Sequence, residues 1–259
     1  ASLSQTRTRS VNDLLELTAN YNFTIKDSHD FAFLLGASQE ESTYDLLGAS
    51  GSEFENNDMG ILGQARKDYG VQGEKTRSGL RSVFGRVNYS WKMRYMLMAS
   101  FRYDGSSRFA DGNQGGFFPS VSVGWNIANE PFWEDMKETV SSFKLRMSYG
   151  ALGNQSVPLY LYIPKLDSNA DTINYPFDGK VVNQGYAVRS LPSRNIKWET
   201  TFYKNIGVDM SLWNNKLEFS IEGYIKDTKD MLSEKNISLS TGYGALTVND
   251  GELRTTGME

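Results

Sequence analysis

The sequence of 259 residues has no cysteine and a single histidine, His29. The absence of cysteine excludes disulfide bonds, thiol nucleophiles and thiolate zinc ligands. One histidine is too few for most histidine metal sites and most Ser-His-Asp triads. Because these residue types carry much of enzyme chemistry, we expect neither catalysis nor a bound metal or cofactor.

Long hydrophobic runs are missing as well. The longest apolar stretches, 31–37 and 95–101, are much shorter than the ~18 residues that a transmembrane helix requires. Charge of one sign is not in excess, since 27 basic and 31 acidic residues give a net charge of −4 without a basic block. A transmembrane helix and a nucleic-acid partner are therefore not expected.

Aromatic residues and an alternating pattern are what the sequence does have. Aromatic side chains make up 13% of the chain, beside 24 glycines and 6 prolines. Apolar and polar residues alternate with a period of two, which places them on opposite faces of a strand. The windows are longer than ordinary globular strands and near the length that crosses a bilayer at a tilt. This pattern predicts about nine strands, at 11–26, 30–48, 79–91, 94–105, 117–128, 143–151, 198–213, 216–229 and 245–258.

The predicted connections alternate between short and long. Short turns are expected at 26–29, 92–93 and 214–215, and a helical turn at 131–137 lengthens the fourth connection on that side, 129–142. Long polar loops are expected on the other side, at 49–78, 105–116, 151–197 and 230–245. Short turns on one side and long loops on the other are typical of outer-membrane β-barrels.

A soluble β-sandwich or barrel also alternates, so the period alone does not decide between water and lipid. A membrane barrel is favoured by strands longer than those of soluble sandwiches and by charged residues deep within one face of the strands. Three tryptophans at the short-turn side, Trp91, Trp133 and Trp213, suit an aromatic girdle. Lys204 is the exception, because it lies on the apolar face and has to extend toward the outer headgroups.

The alternation also predicts which side chains meet lipid. The side chains expected to point outward are Leu97, Phe101, Val123, Leu145, Val208 and Phe219. Three arginines, Arg86, Arg102 and Arg146, are expected to point inward to a wet lumen. The predicted fold class is thus all-β, an antiparallel up-and-down transmembrane β-barrel of which about nine strands are present.

One long run of the sequence resembles a known family. Residues 84–133, which begin FGRVNYSWKMRYMLMASFRYDG and end GFFPSVSVGWNIANEPFW, are similar to the barrel of the SusC/RagA family of TonB-dependent outer-membrane transporters. The runs at 143–155 (FKLRMSYGALGNQ) and 196–232 agree in order and spacing. The resemblance is clear over 79–258 and weaker over 1–78.

This resemblance implies import of nutrients, of the oligosaccharide or peptide class, across the cell outer membrane. It also implies three partners: the TonB complex, a SusD/RagB-like surface lipoprotein that acts as a lid, and the lipid bilayer. Family barrels have 22 strands and an N-terminal plug, and nine strands is an odd count for a closed barrel. We therefore expect 1–259 to be part of the barrel domain, without the plug, the N-terminal extension and the final strands. The alternative is a soluble or surface β-rich binding module such as an adhesin.

The connection 151–197 is the best candidate for substrate contact. It holds four of the six prolines and several tyrosines, and long loops without periodicity are often functional. Aromatic rings beside amides suit a glycan or peptide, since a ring covers an apolar face while amides bond polar groups. The alternative is a self-packed loop that supports the lid. The candidate substrate-binding residues are Tyr160, Tyr162, Tyr175, Tyr186 and Arg108.

Three other groups have simpler interpretations. The segment 104–113 suggests a calcium loop but departs from the calcium-loop pattern, so a loop tip with a locally paired Arg108 is favoured. The acidic residues Glu130, Glu134, Asp135 and Glu138 are expected to cap and solvate a short helix rather than to act as catalytic acids. His29 is expected to be solvated in its turn.

Overall fold

The structure is a computed structural model that describes residues 2–55, 60–167, 174–177, 181–188 and 190–259. Within these ranges, nine long strands form a single antiparallel sheet in which each strand pairs with its neighbours along the chain. The strands are β1 Ser2–Ile25, β2 His29–Ser52, β3 Lys67–Trp91, β4 Tyr95–Ser106, β5 Gly115–Asn126, β6 Val140–Asn154, β7 Glu199–Leu212, β8 Leu217–Asn236 and β9 Ala245–Met258. The predicted up-and-down architecture is confirmed, and the described sheet is open, with β1 and β9 at its edges.

Tight turns join the strands on one side of the sheet, at 26–28, 92–94 and 213–216. The first two turns each contain two successive residues with positive φ, such as Lys92 at 50° and Met93 at 54°, and the third contains three. Consecutive left-handed residues suit the twist of the flanking strands, and these loops of three or four residues let strand pairing begin directly at the turn. The fourth connection on this side, 127–139, holds the predicted helical turn as a 3₁₀ helix, Pro131–Met136.

The connections on the opposite side are 53–66, 107–114, 155–198 and 237–244. The longest contains short strand pieces, in which 166–167 pairs with 187–188 and 174–177 pairs with 181–184. No helix in the part of the chain that the structure describes is long and apolar enough to span a membrane.

Several predicted strand boundaries are wrong by many residues. β1 begins at Ser2 rather than 11, β3 begins at Lys67 rather than 79, and β8 continues to Asn236 rather than 229. The predicted loop at 49–78 is consequently reduced to 53–66. Backbone pairing continues beyond the apolar band, where water meets both faces and nothing imposes alternation on the sequence.

Two polar residues at the short-turn side are also placed differently from expectation. Glu130 is buried and pairs with neighbouring side chains instead of solvating a helix. His29 is the first residue of β2, where its ring stacks on Trp91 and its Nδ1 lies 2.9 Å from the Tyr89 hydroxyl. Both residues therefore belong to the packed rim of the sheet.

The main apolar cluster lies at the loop side of the sheet. Two phenylalanine rings pack against Trp198 there: Phe109 is tilted with its ring centroid at 5.2 Å, and Phe118 is edge-on at 5.3 Å. Phe109 is only 1% exposed. Along the strands, in contrast, large apolar side chains stay uncovered, with Leu35 58% exposed and Ile206 57% exposed. A broad uncovered apolar face is the informative feature, because water-soluble monomers rarely present one.

Candidate functional site

Cross-strand pairing divides the sheet into an apolar face and a polar face. Leu97 pairs with Val123, Leu145 pairs with Val208, and Met210 pairs with Phe219, which places the predicted lipid-facing residues on one face. The opposite face follows another register series, in which Arg86 pairs with Ser100, Ser100 with Ser120 and Ser120 with Gly150. Arg102 and Arg146 lie on this face as well. We call these two surfaces the apolar face and the polar face.

Arg146 is the centre of a charged network on the polar face. Its Nη2 lies 2.7 Å from Oε2 of Glu222, and its Nε lies 3.2 Å from Oδ2 of Asp209. Nη1 donates to Asn205 Oδ1 at 3.4 Å, and Ser220 Oγ donates to Asp209 at 2.7 Å. The guanidinium thus holds together three adjacent strands, β6, β7 and β8, and two carboxylates surround a single cation.

Arg102 forms a second polar cluster nearer the loop side. Its Nε donates to both carboxylate oxygens of Asp104, at 2.7 and 2.9 Å, and its Nη2 donates to Ser82 Oγ at 2.8 Å. The guanidinium also lies over the ring of Phe84, 5.5 Å from its centroid. Arg86, on the same face, is exposed. The polar face therefore presents arginines on three strands, of which Arg102 and Arg146 are held by neighbouring side chains.

A concavity of about 660 Å³ lies beside the Arg146 network. It is lined by polar-face residues of several strands, among them Asn22, Asn88, Met98, Ser122 and Arg146. Amides and hydroxyls there can hydrogen-bond a solute, while the methionine offers a flexible apolar contact.

At the loop side, two of the connections pack against each other. Phe109 from 107–114 and Trp198 at the end of 155–198 pack together, and Trp198 Nε1 donates to the Gln114 carbonyl oxygen at 2.9 Å. Arg108 Nη1 donates to the carbonyl oxygen of Val157 at 2.9 Å. Arg108, a predicted substrate-binding residue, therefore anchors the long connection to its neighbour.

The predicted tyrosines occupy different environments. Tyr160 is half-buried, and its hydroxyl accepts from the Arg77 backbone N–H at 2.9 Å and donates to the Arg77 carbonyl at 3.2 Å. The Tyr162 hydroxyl lies 3.5 Å from the Ser107 carbonyl, whereas Tyr186 is 69% exposed. Tyr175 pairs through its backbone with Asn183, and its side chain lies outside the described part of the chain. These four residues are not gathered into one pocket by the described contacts.

The loop segment 104–113 contains no gathered set of metal ligands among its described side chains. Asp104 is engaged by Arg102, and Asp111 accepts from Gln114 Nε2 at 3.2 Å. Across the described ranges as a whole, no group of three acidic or histidine side chains could hold a metal ion.

The short-turn rim contains a buried carboxylate, Glu130, whose burial the sequence pattern does not predict. Glu130 Oε1 accepts from Trp125 Nε1 at 3.1 Å, and Oε2 lies 3.5 Å from Arg94 Nη1. Hydrogen bonds from Tyr95 and then Trp125, together with the Arg94 charge, lower the pKa of Glu130. Because Arg94 and Glu130 belong to different connections, the pair ties two neighbouring turns together.

Lys204, the exception on the apolar face, has partners there. Its Nζ lies 3.6 Å from Oδ2 of Asp227, and Arg254 Nε donates to Oδ1 of the same carboxylate. The alternation of the sequence places Asp227 on the same outward face as Ile221 and Ile225. The partnership itself depends on the pairing register between strands, which a single sequence does not reveal.

Comparison with known proteins gives a consistent set of relatives. The family model described as TonB dependent receptor-like, beta-barrel, matches residues 2–259. TonB-dependent receptor SusC of Bacteroides thetaiotaomicron is 38% identical over 189 residues, which cover 71% of this chain and 18% of that protein. TonB-dependent receptor P3 of Formosa agariphila is 32% identical over 250 residues, which cover 96% of this chain and 24% of that protein.

A solved structure of the same kind of protein matches the fold of this chain. The structure of the RagAB peptide transporter matches 99% of this chain and 28% of its own chain, with a TM-score of 0.89 and 27% identity. The chain spans less than a third of the length of each of these proteins.

Proposed function

This chain belongs to the TonB-dependent receptors of the SusC/RagA type, and we propose from this premise that it takes part in nutrient import across the outer membrane. The observation that carries the proposal is the match of the whole nine-stranded sheet to RagAB, with a TM-score of 0.89 over 99% of the chain. A soluble binding module is disfavoured by the same match and by the uncovered apolar face. The proposed role is transport, with no catalytic step.

We propose that residues 1–259 form part of the barrel wall of a larger receptor, whose plug, N-terminal extension and final strands lie in other residues. The matched relatives are several times longer than this chain, which supports this division. An open sheet exposes the backbone groups of β1 and β9 at its edges, and lipid cannot satisfy such groups. Pairing of both edges with further strands of the receptor removes this cost.

The polar face is proposed to line the lumen, with Arg86, Arg102 and Arg146 pointing into it. Charged groups at the bilayer midplane are costly on a lipid-facing surface and tolerated on a water-filled one. The Arg146 network supports this assignment, because it places one cation and two carboxylates near the middle of three strands.

The proposed substrate is a peptide or an oligosaccharide. The likeness to a structure described as a peptide transporter supports the peptide class, while exposed aromatic rings suit either class. We propose that Tyr160, Tyr162, Tyr175, Tyr186 and Arg108 form or support the mouth at the loop side, and that a SusD/RagB-like lipoprotein covers it. Energy is proposed to come from the TonB complex through other parts of the receptor.

Uptake by intact cells tests the proposal. Cells that lack the receptor are complemented with the complete protein, and the import of labelled peptides and of labelled oligosaccharides is compared with and without TonB. Import of either class that depends on both the receptor and TonB supports the proposal. Equal import by receptor-deleted and complemented cells for both classes would overturn it.

A single aromatic residue refines the same test. Tyr186→Ala removes an exposed ring at the loop side, and loss of a ring contact is expected to weaken uptake about fivefold. The matched control is Phe132→Ala, which removes a ring of similar exposure, 66%, at the short-turn side. Equal effects of the two variants would contradict a role for Tyr186 at the mouth.

A further inference from the structure

An ion cluster interrupts the apolar face near its loop-side end. Lys204 lies opposite Tyr149 and Ile225 in the register, and Asp227 lies opposite Arg254, so all three charges share the face of Ile225. Lys204 Nζ is 3.6 Å from Asp227 Oδ2, and Arg254 Nε donates to Oδ1. We call Lys204, Asp227 and Arg254 the outer ion cluster.

The position of the cluster along its strands matches one boundary of a bilayer. Trp213, at the short-turn side, and Lys204 are nine residues apart on the chain. At about 3.3 Å per residue and a strand tilt of 35–45°, they are separated by ~21–24 Å along the membrane normal. An outer-membrane apolar band is about 25 Å tall. The outer ion cluster therefore lies at the headgroup level of the outer leaflet rather than in the hydrocarbon centre.

The two cations of the cluster remain available to a further anion. The Asp227 side chain is only 11% exposed, whereas Lys204 is 54% exposed and Arg254 is 71% exposed. Lys229 and Glu252 add one charge of each sign on the same face. The surface thus carries one net positive charge, and its carboxylate orients two cations outward.

An apolar groove of about 690 Å³ lies beside Lys204, on the short-turn side of the outer ion cluster. Its lining includes Val123, Met147, Tyr149, Ile206 and Ile225, all on the apolar face. These side chains stay between 38% and 57% exposed. A groove of this kind fits a hydrocarbon chain, and the cations at its upper end fit a phosphate group.

We propose that the outer ion cluster and this groove form a binding site for an acylated, phosphate-bearing lipid of the outer leaflet. One acyl chain lies in the groove, and the lipid phosphate accepts hydrogen bonds from Lys204 and Arg254. Asp227 holds both cations in position. The site depends on the location of the barrel in the outer membrane and is independent of what the receptor imports.

Lipid binding to the complete receptor in detergent tests the site. The probes are lipid A that carries one phosphate and the same lipid without phosphate, and bound lipid is counted by native mass spectrometry. The wild-type receptor is expected to prefer the phosphorylated probe. Lys204→Gln and Arg254→Gln are each expected to weaken its binding about fivefold, the effect of removing one cation at a membrane surface.

Two controls make the result specific. Lys226 precedes Asp227 on β8, but its side chain lies on the polar face, over the rings of Tyr203 and Tyr224. Lys226→Gln is therefore expected to leave lipid binding unchanged. Asp227→Asn raises the net positive charge and is expected to retain the preference for phosphate. Heat-modifiable migration on gels verifies that each variant is folded.

Two results would overturn the proposal. The first is equal binding of the two probes by the wild-type receptor, which requires no variant to fold. The second is a change of oligomeric state in Lys204→Gln or Arg254→Gln without a change in lipid binding, since that result assigns the surface to a second copy of the receptor.

Discussion

Gly207 faces Arg146 across β6 and β7, and a Cβ atom at Gly207 would lie 2.8 Å from Arg146 Cζ. Gly207 also pairs with Glu222 on the other side, in β8. The missing side chain leaves a path over β7, which the Arg146 guanidinium follows to reach Glu222 at 2.7 Å. A glycine in the middle of a strand, unfavourable by propensity, is explained here by close approach of a side chain.

Gly207→Ala is predicted to displace the guanidinium and break its contact with Glu222. Because the far end of a flexible side chain gives way, the cost is that of lost charged hydrogen bonds, about 1–2 kcal/mol. Unfolding of the complete receptor in detergent measures it. Gly73→Ala, where the nearest atom is 3.7 Å away, is the matched control and is expected to be nearly neutral. Adding Glu222→Gln to Gly207→Ala is expected to cost little more, and full additivity would contradict the contact.

Val121 and Ser122 are adjacent residues on opposite faces of β5, which allows a matched test of the two surfaces. Val121→Arg places a charge on the apolar face, in the register row of Tyr149 and Lys204 but without a partner carboxylate, and is predicted to destabilise the barrel by about 1 kcal/mol. Ser122→Arg places the same charge on the polar face and is predicted to be nearly neutral. Urea unfolding in lipid vesicles compares the two variants, and equal costs would contradict the assignment of the faces.

The pKa of Glu130, lowered by hydrogen bonds from Tyr95 and Trp125 and by Arg94, predicts an acid-sensitive rim. A carboxyl whose pKa is depressed in the folded state stabilises that state above its unfolded pKa, and the stabilisation is lost as pH falls through the folded value. Glu130→Gln is therefore expected to be less stable than wild type at pH 7, and the difference is expected to shrink below about pH 4.

Thermal unfolding between pH 3 and 7 measures this difference. Glu134→Gln, which removes an exposed carboxylate 3.0 Å from Lys137, is the control and is expected to have little effect at any pH. A stability gap between Glu130→Gln and wild type that stays constant with pH would exclude the proposed electrostatic role.

Tyr160→Phe is predicted to loosen the long connection 155–198. The variant removes a hydroxyl that bonds both backbone groups of Arg77, at a cost of about 1 kcal/mol. Local opening is then expected to occur about fivefold more often and to speed limited proteolysis of this connection on whole cells. Tyr186→Phe is the control, since that ring is largely exposed. Unchanged proteolysis in Tyr160→Phe would show that the connection is held by other contacts.

The strands within the apolar band were predictable from the sequence because lipid on one face and water on the other impose alternation. The segment Ser2–Ser10 has no such pattern, yet it pairs with β2 above the band, where water meets both faces. For this reason the predicted first strand begins at 11, nine residues after the observed start of β1 at Ser2.

Contacts across strands were less predictable than the strands themselves. Alternation places Arg146 on the inward face, but its contact with Glu222 depends on the register of two strand pairs and on Gly207 between them. Trp198 shows the same limitation, because nothing in the local pattern predicts its packing against Phe109 in the loop-side cluster. Such packing depends on how distant connections meet, which a local pattern does not encode.

Sidedness of the sheet is the most direct test of the central claim that this chain is the wall of an outer-membrane importer. Cysteines introduced singly at Tyr186 and at Asn214 report on the two ends of the strands, because residues 1–259 contribute no cysteine of their own. The receptor without either substitution gives the background labelling. Intact cells expressing the complete receptor are treated with a membrane-impermeant maleimide. Labelling is expected at 186 on intact cells and at 214 only after the outer membrane is opened. Labelling of 214 on intact cells, with 186 protected until the membrane is opened, would contradict it.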